Sequence, residues 1–189
     1  MIDLETMGTG ADCVVISVGA VKFDLDSDKI DDRGFYSSVS IDSNLELGRR
    51  IDESTLLWWL KQPAAAQSVF FEDKMPLAQV LGDLSGWMED DRWYVWAKGP
   101  SFDVAILEHA YRQAGISVPW RFTRTRCVRT YMDLPGAKGI KAPVDGVKHN
   151  ALSDAYQQAR TIQLIHQKLF IEQPTNSMVK ASGKTSKAE

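Results

Sequence analysis

A mixed α/β sheet with helices on both of its faces is the architecture this sequence predicts, and three observations carry the prediction. Strand-like segments come first: Met1 to Glu5, the β-branched apolar run CVVISVGAVKF from Cys13 to Phe23, and Gly34 to Ile41. Turn chemistry separates them, with Met7-Gly8-Thr9-Gly10 after the first and the charged stretch Asp24 to Asp32 after the second, so the three read as an antiparallel meander. Helical and strand patterns then alternate towards the C-terminus, which is how parallel strands joined by helices appear in a sequence.

Asp52-Glu53-Ser54 offers helix-capping chemistry ahead of TLLWWLKQ, and Pro63 stops that helix. A further helix is expected from Pro76 to Met88, followed by a short strand from Trp93 to Trp96. GPSFD then leads into a helix from Val104 to Ala114 that ends at Gly115. Arg124 to Met132 reads as a strand, and Ala151 to Leu169 as a long helix. No repeat or linker interrupts residues 1–170, which read as one domain. Residues 171–189 read as a polar tail, disordered from Gln173 (QPTNSMVKASGKTSKAE) because it has little apolar content to bury.

Composition narrows the class. The 189 residues are 44% hydrophobic and 25% charged, ordinary for a soluble protein. No apolar run approaches the ~20 residues needed to cross a bilayer. A basic region followed by an apolar stretch is missing from the N-terminus, so no secretory signal is read. Cys13 and Cys127 are the only cysteines, too few for a disulfide scaffold or a cysteine-rich zinc site, and a cytoplasmic location is expected. The formal charge of −3 is unevenly spread: net −10 over residues 1–97, +5 over 98–148 and +2 over 149–189. A basic second half beside an acidic first half can guide a polyanion towards carboxylates, although a merely uneven solvated surface accounts for charge alone equally well.

The chemistry lies in five residues. Asp3 and Glu5 are two apart on a predicted strand, so alternation points both carboxylates to one face. Such a pair repels itself unless a cation lies between. Asp103 follows Phe102 at a strand-to-helix junction, where ligands tend to bind in α/β sheets, although such an Asp is more often a helix N-cap. In HNALSDA, Asn150 can cap the last helix, which puts Asp154 in its opening turns and His149 in the loop before it. His109 and His166, inside helical patterns, read as structural. Asp3, Glu5, Asp103 and Asp154 bring four negative charges, which two Mg²⁺ or Mn²⁺ ions would neutralise. Two such ions ~3.5–4 Å apart support in-line phosphoryl displacement. His149, with an ordinary pKa of ~6.5, suits the proton of an attacking water.

With these residues the sequence resembles the DEDDh (DnaQ-like) exonuclease superfamily: MIDLET contributes Asp3 and Glu5, GPSFDVAIL contributes Asp103, and HNALSDA contributes His149 and Asp154. The order of elements is the one expected of a ribonuclease-H-like fold. The Met-Gly after MIDLET, Trp58-Trp59, WAKGPSFD and RCVRT (Arg126 to Thr130) are most similar to the branch of the mycobacterial exoribonuclease and the N-terminal part of exonuclease VIII. The resemblance covers about residues 1–170. It implies 3′–5′ hydrolysis releasing nucleoside 5′-monophosphates, two metal ions, His149 as general base, and a homodimer for which no self-complementary surface can be read. RNA is slightly favoured over DNA on the branch alone. Two departures stand out: Lys98 where relatives often carry Asn, and a start only two residues before Asp3, a short lead-in for a strand.

The resemblance also implies that the terminal base rests on Thr6, Met7, Gly8 and Phe102. Phe102 is equally well read as plain core. Trp58 and Trp59 are about 100° apart on a helix, so one is expected inside and the other free to wedge or stack a base. Arg126 and Arg129, three apart on the predicted strand, point to opposite faces, and Arg129 is assigned a phosphate or structural contact. Three other functions remain open at this point. A polymerase-bound proofreading subunit predicts a stable complex and weak activity alone. A non-catalytic nucleic-acid-binding module would have no need of His149. A two-metal small-molecule phosphatase would have no use for a basic face.

Overall fold

In the computed structural model of the protein, which describes residues 1–143 and 145–172, the apolar run after Cys13 becomes the fully buried strand β2 (Val15–Ala20). It lies between β1 (Ile2–Thr6) and β3 (Phe35–Ser38), antiparallel to both. The expected meander therefore forms. Met1 extends the first pairing, its amine donating to the Val21 carbonyl at 2.8 Å. A second, parallel pair joins β4 (Val95–Ala97) to β5 (Thr125–Cys127), with β4 against β1. The three-stranded antiparallel sheet and the two-stranded parallel sheet lie side by side, compatible with a ribonuclease-H-like fold.

The helices are α1 (Ile41–Glu46), α2 (Glu53–Trp59), α3 (Ala64–Gln67), α4 (Leu77–Met88), α5 (Asp103–Gln113), α6 (Val128–Met132) and α7 (Ala151–His166). Three differ from expectation. The third strand stops at Ser38 because Ser40 caps α1, its hydroxyl accepting from the Ser43 amide. Buried Asn44 then bonds both backbone groups of Val15 and takes the place of a further strand residue there. Asp52 precedes α2 but does not cap it through its side chain; that carboxylate accepts from the Thr9 amide instead. The predicted strand from Arg124 to Met132 is corrected: a 3₁₀ turn at Phe122–Arg124 leads into only three strand residues, and α6 begins at Val128. The expected tail from Gln173 lies outside the described residues.

Alternation decides the layers. Ile2 and Leu4 of β1 and Val18 and Ala20 of β2 face a core shared with α4 and α5 (Leu81, Leu84, Ile106, Leu107). Asp3 and Glu5 face the other way, paired across the ladder with Gly19 and Ser17. That face is covered by α7, whose Ala155, Ala159 and Ile162 pack with Val21, Trp96 and Val128. A third cluster holds Met7, Val14, Ile16 and Trp59. No helix among the described residues is long and apolar enough to cross a membrane.

Gly19 permits this packing. A Cβ there would fall within the backbone of Ala151 and Leu152 at the start of α7. Any side chain would lift the helix that carries Asp154 away from the strand that carries Asp3 and Glu5. Gly19→Ala is therefore expected to destabilise the fold by ~1–3 kcal/mol, the usual range for overpacking, and to reduce activity with it. Thermal unfolding and turnover of the same preparation check this; an unchanged midpoint would mean the helix does not depend on that contact.

Candidate active site

Elements distant in sequence bring the acidic residues together. β1 delivers Asp3 and Glu5 on one face. Asp103 opens α5, and its Oδ1 accepts from the Leu4 amide at 3.2 Å, which ties the helix start to β1. Asn150 caps α7 through its side chain, accepting from the Ser153 amide as the sequence predicts. Asp154 lies in the first turn of that helix, and its Oδ2 accepts from the His149 amide at 3.2 Å. His149 itself adopts φ 63°, a left-handed backbone that non-glycine residues rarely take and that costs of order 1–3 kcal/mol. Its ring stands edge-on to Trp58 with centroids 5.0 Å apart, and 6.4 Å from Trp59.

All five predicted residues line one cleft of about 300 Å³ with Lys98, Arg129, Lys141, Lys148, Gln157 and Gln158. Ligand atoms of Glu5, His149 and Asp154 lie within 4.8 Å of one another. Burial, then the nearby Asp103, holds Asp3 well above the ordinary carboxylate range. Burial, then Asp3, pushes Glu5 up to about 9. Burial lifts Asp103 only to about 6, because two backbone amides and the Arg129 charge oppose it. Burial, then Lys148, moves His149 below its ordinary value against the pull of Asp154. Such a set is poor at holding its own charge and good at holding a cation. An all-carboxylate donor group with one imidazole suits a hard divalent ion, so these residues fit a metal.

A shallower groove adjoins the cleft, sharing Leu4, Glu5 and Phe102 with it, and continues past Thr6, Gly8, Thr9, Ser54, Thr55, Trp58 and Trp59. Of the residues expected to meet substrate, Thr6, Gly8, Trp58 and Phe102 line it. Met7 does not. Its side chain is buried with Val14, Ile16 and Trp59, because the register shift between Glu5 and Thr6 turns it into that cluster. The two tryptophans divide as their spacing predicts: Trp59 is buried and donates from Nε1 to the Thr6 carbonyl at 2.8 Å, while Trp58 is 41% exposed in the groove. The indole bond anchors the end of β1 against α2, and Phe102 packs partly on the main core.

Arg129 reaches the cleft, but from α6 rather than from a strand, so the opposite-faces inference is replaced. Its guanidinium lies over Gly99, at φ 111°, and a Cβ on that residue would overlap Nη1. Arg126 instead stacks on Tyr94, 4.3 Å from the ring centroid, and does not line the cleft. His166 is structural, bonded to Tyr131 and Asp26, and His109 sits outside both clefts. Sequence inspection missed Lys141, Lys148, Gln157 and Gln158. The only signal was the basic balance of residues 98–148, which does not say which lysine faces the acids.

Comparison with known proteins is consistent with this geometry. The family described as the 3'-5' exoribonuclease Rv2179c-like domain matches residues 1–166. The exodeoxyribonuclease of Enterobacteria phage T4 is 26% identical over an alignment covering 82% of each chain. The chain belongs to the Rv2179c-like family of 3′–5′ exonucleases.

The carboxylates make metal-free stability depend on pH. A group whose folded pKa exceeds its unfolded value binds more protons in the folded state, so its stabilising contribution is lost as pH rises through the folded pKa. Between the ordinary 4.5 and about 9 for Glu5, and between 3.8 and about 6 for Asp103, the metal-free protein is expected to lose stability as pH increases. Mn²⁺ should restore it most at the alkaline end and release protons as it binds. Thermal midpoints in chelator and in Mn²⁺ across pH 5–9 test this; a gap between the curves that does not widen with pH would contradict it.

Proposed function

We propose that this family member removes nucleoside 5′-monophosphates one at a time from the 3′ end of single-stranded or overhanging RNA, as a free-standing enzyme. Asp3, Glu5, Asp103 and Asp154 would hold two divalent cations, Mg²⁺ or Mn²⁺, and His149 would serve as general base. The convergence of those five side chains on one cleft, with cationic side chains at its edge, carries the reading. The family match to an exoribonuclease domain supports RNA. The exodeoxyribonuclease relative favours a second reading in which DNA is also cut.

Divalent ions held by these carboxylates would supply Lewis acidity for phosphoryl displacement. The chain supplies the rest. Burial and mutual repulsion keep the carboxylates short of a cation and so poised to bind one. Asp103 is held by the Leu4 amide, so its position is set before any ligand arrives. Arg129, Lys98, Lys141 and Lys148 offer positive charge to the non-bridging oxygens of the chain being cut. His149, tilted away from helical geometry and braced by Trp58, holds an imidazole beside Glu5 and Asp154, where it can accept the proton of the attacking water. Trp58 and Phe102 offer faces for the terminal base, contacts worth ~1–3 kcal/mol per base regardless of sequence. Nothing in this arrangement reads a base edge.

The test is a time course on 5′-labelled RNA and DNA of one sequence, single-stranded and with 3′ overhangs, in Mg²⁺, Mn²⁺ or chelator. A metal-dependent ladder shortening from the 3′ end, faster on RNA and abolished by Asp154→Ala, is expected. A faster DNA ladder would move the assignment to the second reading, and shortening in chelator would remove the metal from the mechanism.

A separate prediction concerns the base. Burial lowers the His149 pKa from 6.5, and a general base works in its neutral form, so kcat should rise with pH along a limb lying below 6.5. His149→Ala should cost ~10²–10⁴-fold and flatten that limb. A pH profile identical to that of the parent enzyme would assign the proton to another group.

A further inference from the structure

Two buried glutamines on α7 are used in opposite ways. Gln163 is saturated: its Nε2 donates to the carbonyls of Asp24 at 2.8 Å and Lys29 at 2.9 Å, and its Oε1 accepts from Arg160. It pins the helix to the loop after β2. Gln158, one turn after Asp154 and 7% exposed, donates from Nε2 to Asp3 Oδ1 at 2.6 Å, while its Oε1 is buried with no partner among the described residues. It lines the cleft that holds the carboxylates.

The orientation of that amide follows from chemistry. Beside a bound cation Asp3 would be ionised and could only accept, so the NH₂ end faces Asp3, as observed, and the carbonyl end turns away. The result is unfavourable for stability, since a buried acceptor loses water and gains nothing. An apolar side chain of the same length would fill the space on this helix without that loss. What the glutamine adds is a fixed donor on one oxygen of Asp3, which leaves the other oxygen in a set direction.

We propose that Gln158 is a positioning residue: its amide N–H fixes the rotamer of Asp3 so that the free carboxylate oxygen is presented to a divalent cation in the cleft. Its bare Oε1 is an acceptor for a donor that arrives with the occupied site. Outer hydrogen bonds to metal-binding carboxylates orient them in this way, and their loss typically costs about 10–100-fold in metal affinity or activity. The inference rests on the metal-dependent exonuclease reading above, and the carboxylate it concerns is 155 residues away along the chain.

The test compares Gln158→Met with Gln163→Met in the full chain, by calorimetric titration of the metal-free protein with Mn²⁺ and by thermal unfolding in chelator. Gln158→Met should raise the Mn²⁺ Kd about 10–100-fold, leave the metal-free midpoint unchanged or higher, and lower kcat with KM unchanged. Gln163→Met should lower the metal-free midpoint and leave the Mn²⁺ Kd unchanged. If Gln158→Met instead lowers the midpoint and binds Mn²⁺ like the parent, the residue is structural and the proposal is overturned. If the parent protein binds no Mn²⁺, the metal reading fails and takes this inference with it. Mn²⁺ binding by the parent that is matched by Gln158→Met sinks the inference alone.

Discussion

The contact of Gly19 with the backbone of Ala151 and Leu152 is the constraint on which the rest depends. Gly19 sits directly across the ladder from Asp3, and Ala151 begins the helix that carries Asp154. Where most helix–sheet packing leaves room for side chains from both layers, here the backbones meet. The N-terminal turn of α7 is thereby set down beside the acidic face of β1, and His149 is delivered with it. One missing methyl group thus links the register of a hairpin to the assembly of the acidic cluster. The Asn150 cap and the left-handed His149 complete that junction, since the chain must turn sharply to enter a helix already pressed on the sheet.

Electrostatics explains why the arrangement is tolerable. Four carboxylates share a half-enclosed cleft, and the protein offsets them only partly: two amides and Arg129 at Asp103, an amide at Asp154, and Gln158 at Asp3. Glu5 receives no comparable help and is pushed to about 9, and burial holds Asp3 well above the ordinary carboxylate range despite its bond from Gln158. The incompleteness leaves the cluster with affinity for a cation. A cluster fully neutralised by its own arginines would have no affinity left for a cation, whereas one with no support would push its helices apart. Arg129 shows how closely the balance is arranged, because Gly99 has to lack a side chain for the guanidinium to lie where it does.

The groove and the cleft adjoin on one surface, sharing Leu4, Glu5 and Phe102. The groove beside the cleft is apolar and aromatic, with Trp58 and Phe102 exposed to it, whereas the cleft is charged. Stacking surfaces accept any base, and cations accept any phosphate, so the two together fit the proposed removal of nucleotides irrespective of sequence. Trp59, buried behind Trp58 and bonded to Thr6, keeps that groove in register with β1.

By itself the sequence determined whatever depends on local periodicity. Alternation put Asp3 and Glu5 on one face, the Asn150 cap located the start of α7, and the angle between adjacent helical residues separated Trp58 from Trp59. The mixed sheet was legible for the same reason: strand and helix repeats differ, and both were clear over long segments. Only the tertiary structure decided matters set by neighbours remote in the chain. Cys127 to Met132 is apolar and β-branched enough to read as strand, yet it turns into α6 and brings Arg129 round to Asp103. Met7 follows the catalytic strand but is turned into a core by a bulge, and Gln158 looks like any helical glutamine until it is seen beside Asp3. Lys141 and Lys148 belong to the site only because both line the cleft beside carboxylates remote from them in the chain. Such residues carry no periodic signature. Their roles arise from contacts that close loops of tens to more than a hundred residues, and the physical cause of those contacts is the packing of α5 and α7 on β1, with α6 against α7.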